Sequence, residues 1–129
     1  MKPANILISA TESDSGDSQE RRIRLADFGI ARQTDGGGTS LTSANLVLGS
    51  FPPYSSPEQL SAETLDARSD VYSLACSIFE LLTGTVPFTG RTPMMMIHHH
   101  LTTPPPDVSS LRSGLPPSVS EAVRHGLAK

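Results

Sequence analysis

With 129 residues, 10 Lys and Arg against 13 Asp and Glu, and a net charge of -3, the chain has room for one domain with one core and lacks the basic field that holds nucleic acid or an anionic membrane surface. No apolar run approaches the roughly 20 residues of a membrane span, since Leu74 to Leu82 is broken by Ser77 and Glu80, and without a basic-then-apolar leader the chain reads as cytoplasmic. The single cysteine, Cys76, excludes an internal disulfide and a multi-cysteine metal site, and its apolar setting suggests a small buried hydrophobe.

The opening MKPANILI reads as the interior of a domain rather than its beginning. Ile6 to Ile8 and Ile23 to Leu25 are β-favouring runs, and the intervening SATESDSGDSQERR suits a solvated loop, so a hairpin with an enlarged loop is expected. Gln33 to Asn45 is rich in Gly, Thr and Ser and has no apolar period, which predicts a mobile segment. Gly49 to Pro57, with Pro52, Pro53 and Pro57, predicts a shaped loop.

The clearest helix follows. Ser69 can cap it, Val71, Leu74, Ala75, Ile78, Phe79 and Leu82 recur at three- and four-residue steps, and Gly84 can end it. Leu81 and Cys76 widen that stripe, so burial on most sides is expected. Thr92-Pro93 supplies a cap and a first-turn proline for a second helix through about Leu101, stopped by the prolines at 104 to 106. Ser118 and Glu121 form a capping-box pattern for a third helix running to the last residue.

Two features suit phosphate and metal chemistry. Asn5, with Lys2 three residues before it, precedes one strand, and Asp27-Phe28-Gly29 follows the other. An amide oxygen and a carboxylate are hard ligands for Mg²⁺, a lysine neutralises phosphate charge, and a glycine after the Asp frees the backbone to turn. His98-His99-His100 beside Met94-Met95-Met96 invites a metal reading, but adjacent helical residues diverge whereas helical ligand pairs need spacing near i, i+4. An ordinary surface helix with packed methionines is expected there.

KPANILI, LADFGIAR, GSFPPYSSPEQ and DARSDVYSLACSIFELLTGTVPF occur in this order over most of the chain. Together they resemble the C-terminal lobe of a bacterial serine/threonine protein kinase of the eukaryotic-like type, from the catalytic loop to the late helices. The resemblance covers residues 1 to 8 and 23 to 129. It implies an α+β, mainly α fold: a partial kinase C-lobe over residues 1–129 with a short β-hairpin, an activation segment over 27–58 and three helices, the N-lobe being absent.

The resemblance also implies roles. Asp27 resembles the carboxylate that holds Mg²⁺ on the ATP phosphates, Asn5 the amide that holds a second metal, and Lys2 the lysine that steadies the transferred phosphoryl group in kinases acting on Ser or Thr. Phe28 would pack in the regulatory spine and Gly29 would permit the loop to flip. Ser56-Pro57-Glu58 matches the close of the activation segment, and Asp70 the buried helix carboxylate that braces the catalytic loop. Thr42, Ser43, Thr39 and Ser40 are candidate phosphorylation sites, with Thr42 at the expected distance before Gly49. Ser50 keeps the hydroxyl of a usual Thr, whereas Phe51-Pro52-Pro53-Tyr54 is one residue longer than the usual spacing.

The family's catalytic base, an Asp five residues before the Asn, would fall at position zero, and the glycine-rich loop, strand lysine and glutamate partner are also outside the sequence. The expected function is therefore ATP- and Mg-dependent phosphorylation of protein Ser/Thr by the family, and inactivity of these residues alone. The alternative is a non-catalytic interaction module that docks on an intact kinase or binds substrates through the Gly49 to Glu58 loop and the helix after Thr92. Any membrane anchor of a parent protein would lie outside these residues. The long helix should also expose apolar faces, with poor solubility or partial folding.

Overall fold

The computed structural model describes residues 2–11, 20–26 and 53–129. Ile6–Thr11 (β1) and Glu20–Leu25 (β2) pair antiparallel, with Ile6 opposite Leu25 and Ile8 opposite Ile23. Both strands run beyond the apolar residues that announce them. Alternation places Ile6, Ile8, Ile23 and Leu25 on one face and Leu7, Ser9, Arg22 and Arg24 on the other. A 3-10 turn, Pro3–Asn5, leads into β1; a proline suits its first position because that N–H has no partner there.

Five helices follow among the described residues: α1 (Pro57–Leu60), α2 (Ala67–Thr83), α3 (Pro93–Thr102), α4 (Val108–Leu111) and α5 (Pro117–Gly126). The helix α2 is central, because the 3-10 turn, α1, α4 and α5 all lie against it. Its Tyr72, Ala75, Cys76 and Phe79 join Phe88, Val108, Val123 and Leu127 in one buried cluster. Cys76 is fully buried there, and burial pushes its thiol up to about 12.

Several expectations are corrected. Three helices were expected; α1 and α4 are additional, and four residues are too few to display a helical period. Asp66, not Ser69, caps α2, its carboxylate accepting from the Arg68 N–H at 2.7 Å. Gly84 ends α2 as expected, at φ 79°. Thr92 caps α3 by accepting from the Met95 N–H at 3.2 Å. The helix α5 starts at Pro117 after Pro116 without a side-chain cap, so Ser118 lies inside its first turn. It stops at Gly126, and the next residue, Leu127, is fully buried.

Burial of α2 on most sides also fails, since Val71 and Leu81 are 54% and 51% exposed. Val71, Leu74 and Ile78 instead line an apolar groove of about 430 Å³ with Val119 and Ala122 of α5. Asp70 is exposed rather than buried, because Ser69, Tyr72 and Ser73 take the inward face of that turn. The methionines do not all pack: Met94 and Met95 are 71% and 43% exposed. His100 fixes the inward face of α3, and of the three methionines Met96, four residues earlier, shares it.

Candidate functional site

The first part of the site is the turn between Lys2 and β1. Lys2 is exposed and extended, and Asn5 is half-buried where the 3-10 turn meets the strand. The Asn5 N–H donates to the Lys2 carbonyl at 2.9 Å, and the Asn5 carbonyl accepts from the Ala26 N–H at 2.7 Å. Asn5 is thereby held on both sides, beside the residue that precedes Asp27 in sequence. Asp27, Phe28, Gly29, Thr39, Ser40, Thr42, Ser43 and Ser50 lie outside the described residues. Magnesium needs only one or two protein oxygens when phosphates and water complete its shell, and the Asn5 amide is a donor of the right kind.

The second part is the segment Tyr54 to Glu58, fixed along one face of α2. Ser69, Ser73, Ser77 and Glu80 recur at steps of four, four and three, which makes a polar stripe in a helix that is largely apolar from Val71 to Leu82. Three of its members hold the segment. The Ser69 hydroxyl donates to Glu58 Oε1, and the Ser73 hydroxyl donates to the Tyr54 carbonyl at 2.8 Å. The Tyr54 hydroxyl donates to Glu80 Oε2 at 2.6 Å. Burial, with the neighbouring Glu80 carboxylate, pushes the Tyr54 phenol up to about 12.

Between these anchors Ser55 and Ser56 are buried, and Gln59 Oε1 accepts from the Ser56 N–H at 3.0 Å as α1 begins. Buried backbone needs such partners because an unpaired donor or acceptor away from water is costly. The result is a loop end whose position is set by α2.

Tyr54, Ser73 and Glu80 were not singled out as site residues by their sequence, and Ser69 was expected only as a helix cap. Glu80 carried a signal, being a carboxylate in an apolar stretch that calls for a partner. His100 was also missed. Of the three adjacent histidines it alone is fully buried, with Nδ1 3.0 Å from the Tyr72 hydroxyl, whereas His98 is exposed. Among the described residues no three or more His, Cys, Asp or Glu gather as metal ligands, and no helix is long and apolar enough to cross a membrane.

The family model described as Protein kinase domain matches residues 1–125. The chain is 41% identical over all 129 residues to serine/threonine-protein kinase PknB of Mycobacterium tuberculosis, spanning 19% of that protein's length. It is 40% identical over 129 residues to PknB of Mycolicibacterium smegmatis, again 19% of that protein. With PknF of Mycobacterium tuberculosis it shares 44% identity over 123 residues, 95% of this chain and 22% of the relative. The chain thus spans about a fifth of the length of these curated relatives. The order of its motifs, its mostly helical architecture and these matches lead to one assignment: the chain belongs to the protein kinase domain family and is part of a bacterial eukaryotic-like serine/threonine kinase.

Proposed function

We propose that residues 1–129 are the C-lobe portion of a catalytic domain that transfers the γ-phosphoryl group of ATP to protein Ser or Thr hydroxyls, with residues 27–58 as its activation segment. The match of residues 1–125 to the kinase domain carries this reading. In it, Asn5 and Asp27 hold Mg²⁺, which neutralises charge on the ATP phosphates when bound. Lys2 faces the transferred group, and its exposed, extended setting suits that role. Gly29 gives the backbone after Asp27 room to turn. Thr42, with Ser43 and Thr39, takes the activating phosphate, and the clamp of Tyr54 and Glu58 on α2 steadies the segment's end for a protein substrate.

The 129 residues do not include an Asp to accept the substrate proton at the position the family requires, so by themselves they should not turn over ATP. The test replaces the matching stretch of Mycobacterium tuberculosis PknB with this sequence and measures phosphate transfer from labelled ATP. The expected result is transfer by the chimera, loss on Asp27→Asn, and none by the 129 residues alone. A folded but inactive chimera, or turnover by the 129 residues, would overturn the reading.

A non-catalytic docking module is the second reading, and the exposure of Met94 and Met95 at the start of α3 favours it. Specific binding to an intact kinase without turnover, lost on Met94→Lys, would support it.

A further inference from the structure

Between the last turn of α3 and Tyr72 of α2, three titratable side chains from distant parts of the chain meet over Phe88. The His100 ring lies 4.9 Å from the Phe88 ring, and Lys129 Nζ stands 3.9 Å from that ring's centroid. Lys129 Nζ donates to the Tyr72 hydroxyl at 3.1 Å and to the carbonyls of His99 and His100 in the last turn of α3. Tyr72 Oη in turn lies 3.0 Å from His100 Nδ1.

These contacts fix the direction of the hydrogens. Because the ammonium of Lys129 donates to Tyr72 Oη, the phenol hydrogen is free to go to His100, and Nδ1 must accept it. His100 is then the neutral tautomer with its hydrogen on Nε2, an atom that is buried and has no hydrogen-bond partner among the described residues. A proton added at Nδ1 would reverse the bond, leave the phenol hydrogen without an acceptor, and set two cations against one hydroxyl. Among the described residues no buried carboxylate bonds to His100 or Tyr72 to compensate for that.

We propose that His100, Tyr72 and Lys129 form a proton-sensitive latch that holds α3 on α2 when His100 is neutral and releases it when His100 is protonated. The groups around it are Tyr72 and Cys76 on α2, Glu58 on α1 facing Tyr72, Lys129 beyond α5, and His99 on α3 itself. Burial first, then the charge on Lys129, lowers His100 from 6.5 to about 4, and burial lowers Lys129 to about 8, so Lys129 is charged throughout the acid range. The released state binds a proton near 6.5 and the latched state only near 4. The latch is therefore fully favoured above 6.5 and weakens as pH falls toward 4. Because α1 packs on α3, release would also loosen the element carrying Glu58. The latch thus connects protonation at His100 to the clamped segment of the candidate site.

Hydrogen exchange of the 129-residue chain, corrected for intrinsic rates, tests this between pH 7 and 4.5. Protection of the α3 amides should fall about tenfold or more while the α2 amides from Ala75 to Leu82 keep theirs. In His100→Gln, which stays neutral and can still accept from Tyr72, α3 protection should not change with pH. Joint loss in α2 and α3, an unchanged α3, or a His100→Gln variant that follows the wild type would overturn the proposal. If His100→Gln is already open at pH 7, titration of the wild-type His100 ring by NMR decides. Protonation well below 6.5, coincident with α3 release, supports the latch, and titration near 6.5 overturns it.

Discussion

Single side chains hold the loop end that the kinase reading requires, and Tyr54 is the most informative. Its hydroxyl donates to Glu80 and its carbonyl accepts from Ser73, so one residue is tied to α2 through two of its polar groups. Tyr54→Phe keeps the ring packed against the core and removes only the donor, leaving the half-buried Glu80 carboxylate unpaired. Hydrogen bonds to charged groups contribute roughly 1.5–3 kcal/mol, and the partial exposure of both groups places this one at about 1.5 kcal/mol. Urea unfolding of the two chains should show that loss, and a difference below about 0.3 kcal/mol would mean that water replaces the tyrosine without cost. Ser69 acts similarly on Glu58. The resemblance assigned Glu58 a role in closing the activation segment, and the structure shows which hydroxyl it accepts from.

At the scale of elements, α2 was legible in the sequence because seventeen residues show several turns of apolar period and end at a glycine in the left-handed region. The hairpin and α3 were legible for comparable reasons: β-branched runs in the first, a threonine cap with a first-turn proline in the second. The single-turn helix α1 was not, and its C-terminal side shows why. Ala62 takes φ 56° where glycine is the usual signal, so no terminator marked the helix. The clamp of the candidate site was hidden for another reason, since Tyr54 and Glu80 are 26 residues apart and only the approach of the loop to α2 joins them. The contact between α2 and α5 was equally invisible. Gly126 permits it: a Cβ there would stand 2.7 Å from Ala75 Cβ, and both atoms are fixed to helix backbones. Gly126→Ala should therefore separate the helices and cost about 1–3 kcal/mol in thermal unfolding. Adding Ala75→Gly should return part of that loss, a coupling that a general propensity effect would not produce.

At the scale of the whole molecule, the described residues present two apolar surfaces that the described elements leave open. One is the hairpin face, where Ile8, Ile23 and Leu25 are 64%, 70% and 41% exposed; the other is the groove of Val71, Leu74 and Ile78 along α2 and α5. Adjacent apolar residues at such exposure are uncommon on soluble monomers and mark surfaces that associate. A net charge of -3 spread over 129 residues offers little repulsion between copies. The 129-residue chain should accordingly bind a dye for apolar surface while folded, and its sedimentation coefficient should rise between about 5 and 200 µM because association follows mass action. Replacing Ile8 and Ile23 together by Thr tests the hairpin directly, since Thr keeps the β-branched shape and the strand preference while removing apolar area. The variant should sediment more nearly as a monomer with an unchanged melting temperature, because both side chains already face water. A wild-type chain that stays monomeric over the range, without dye binding, would show these faces to be too small to drive association. A variant that loses its melting transition would instead show that Ile8 and Ile23 stabilise the strand pair itself.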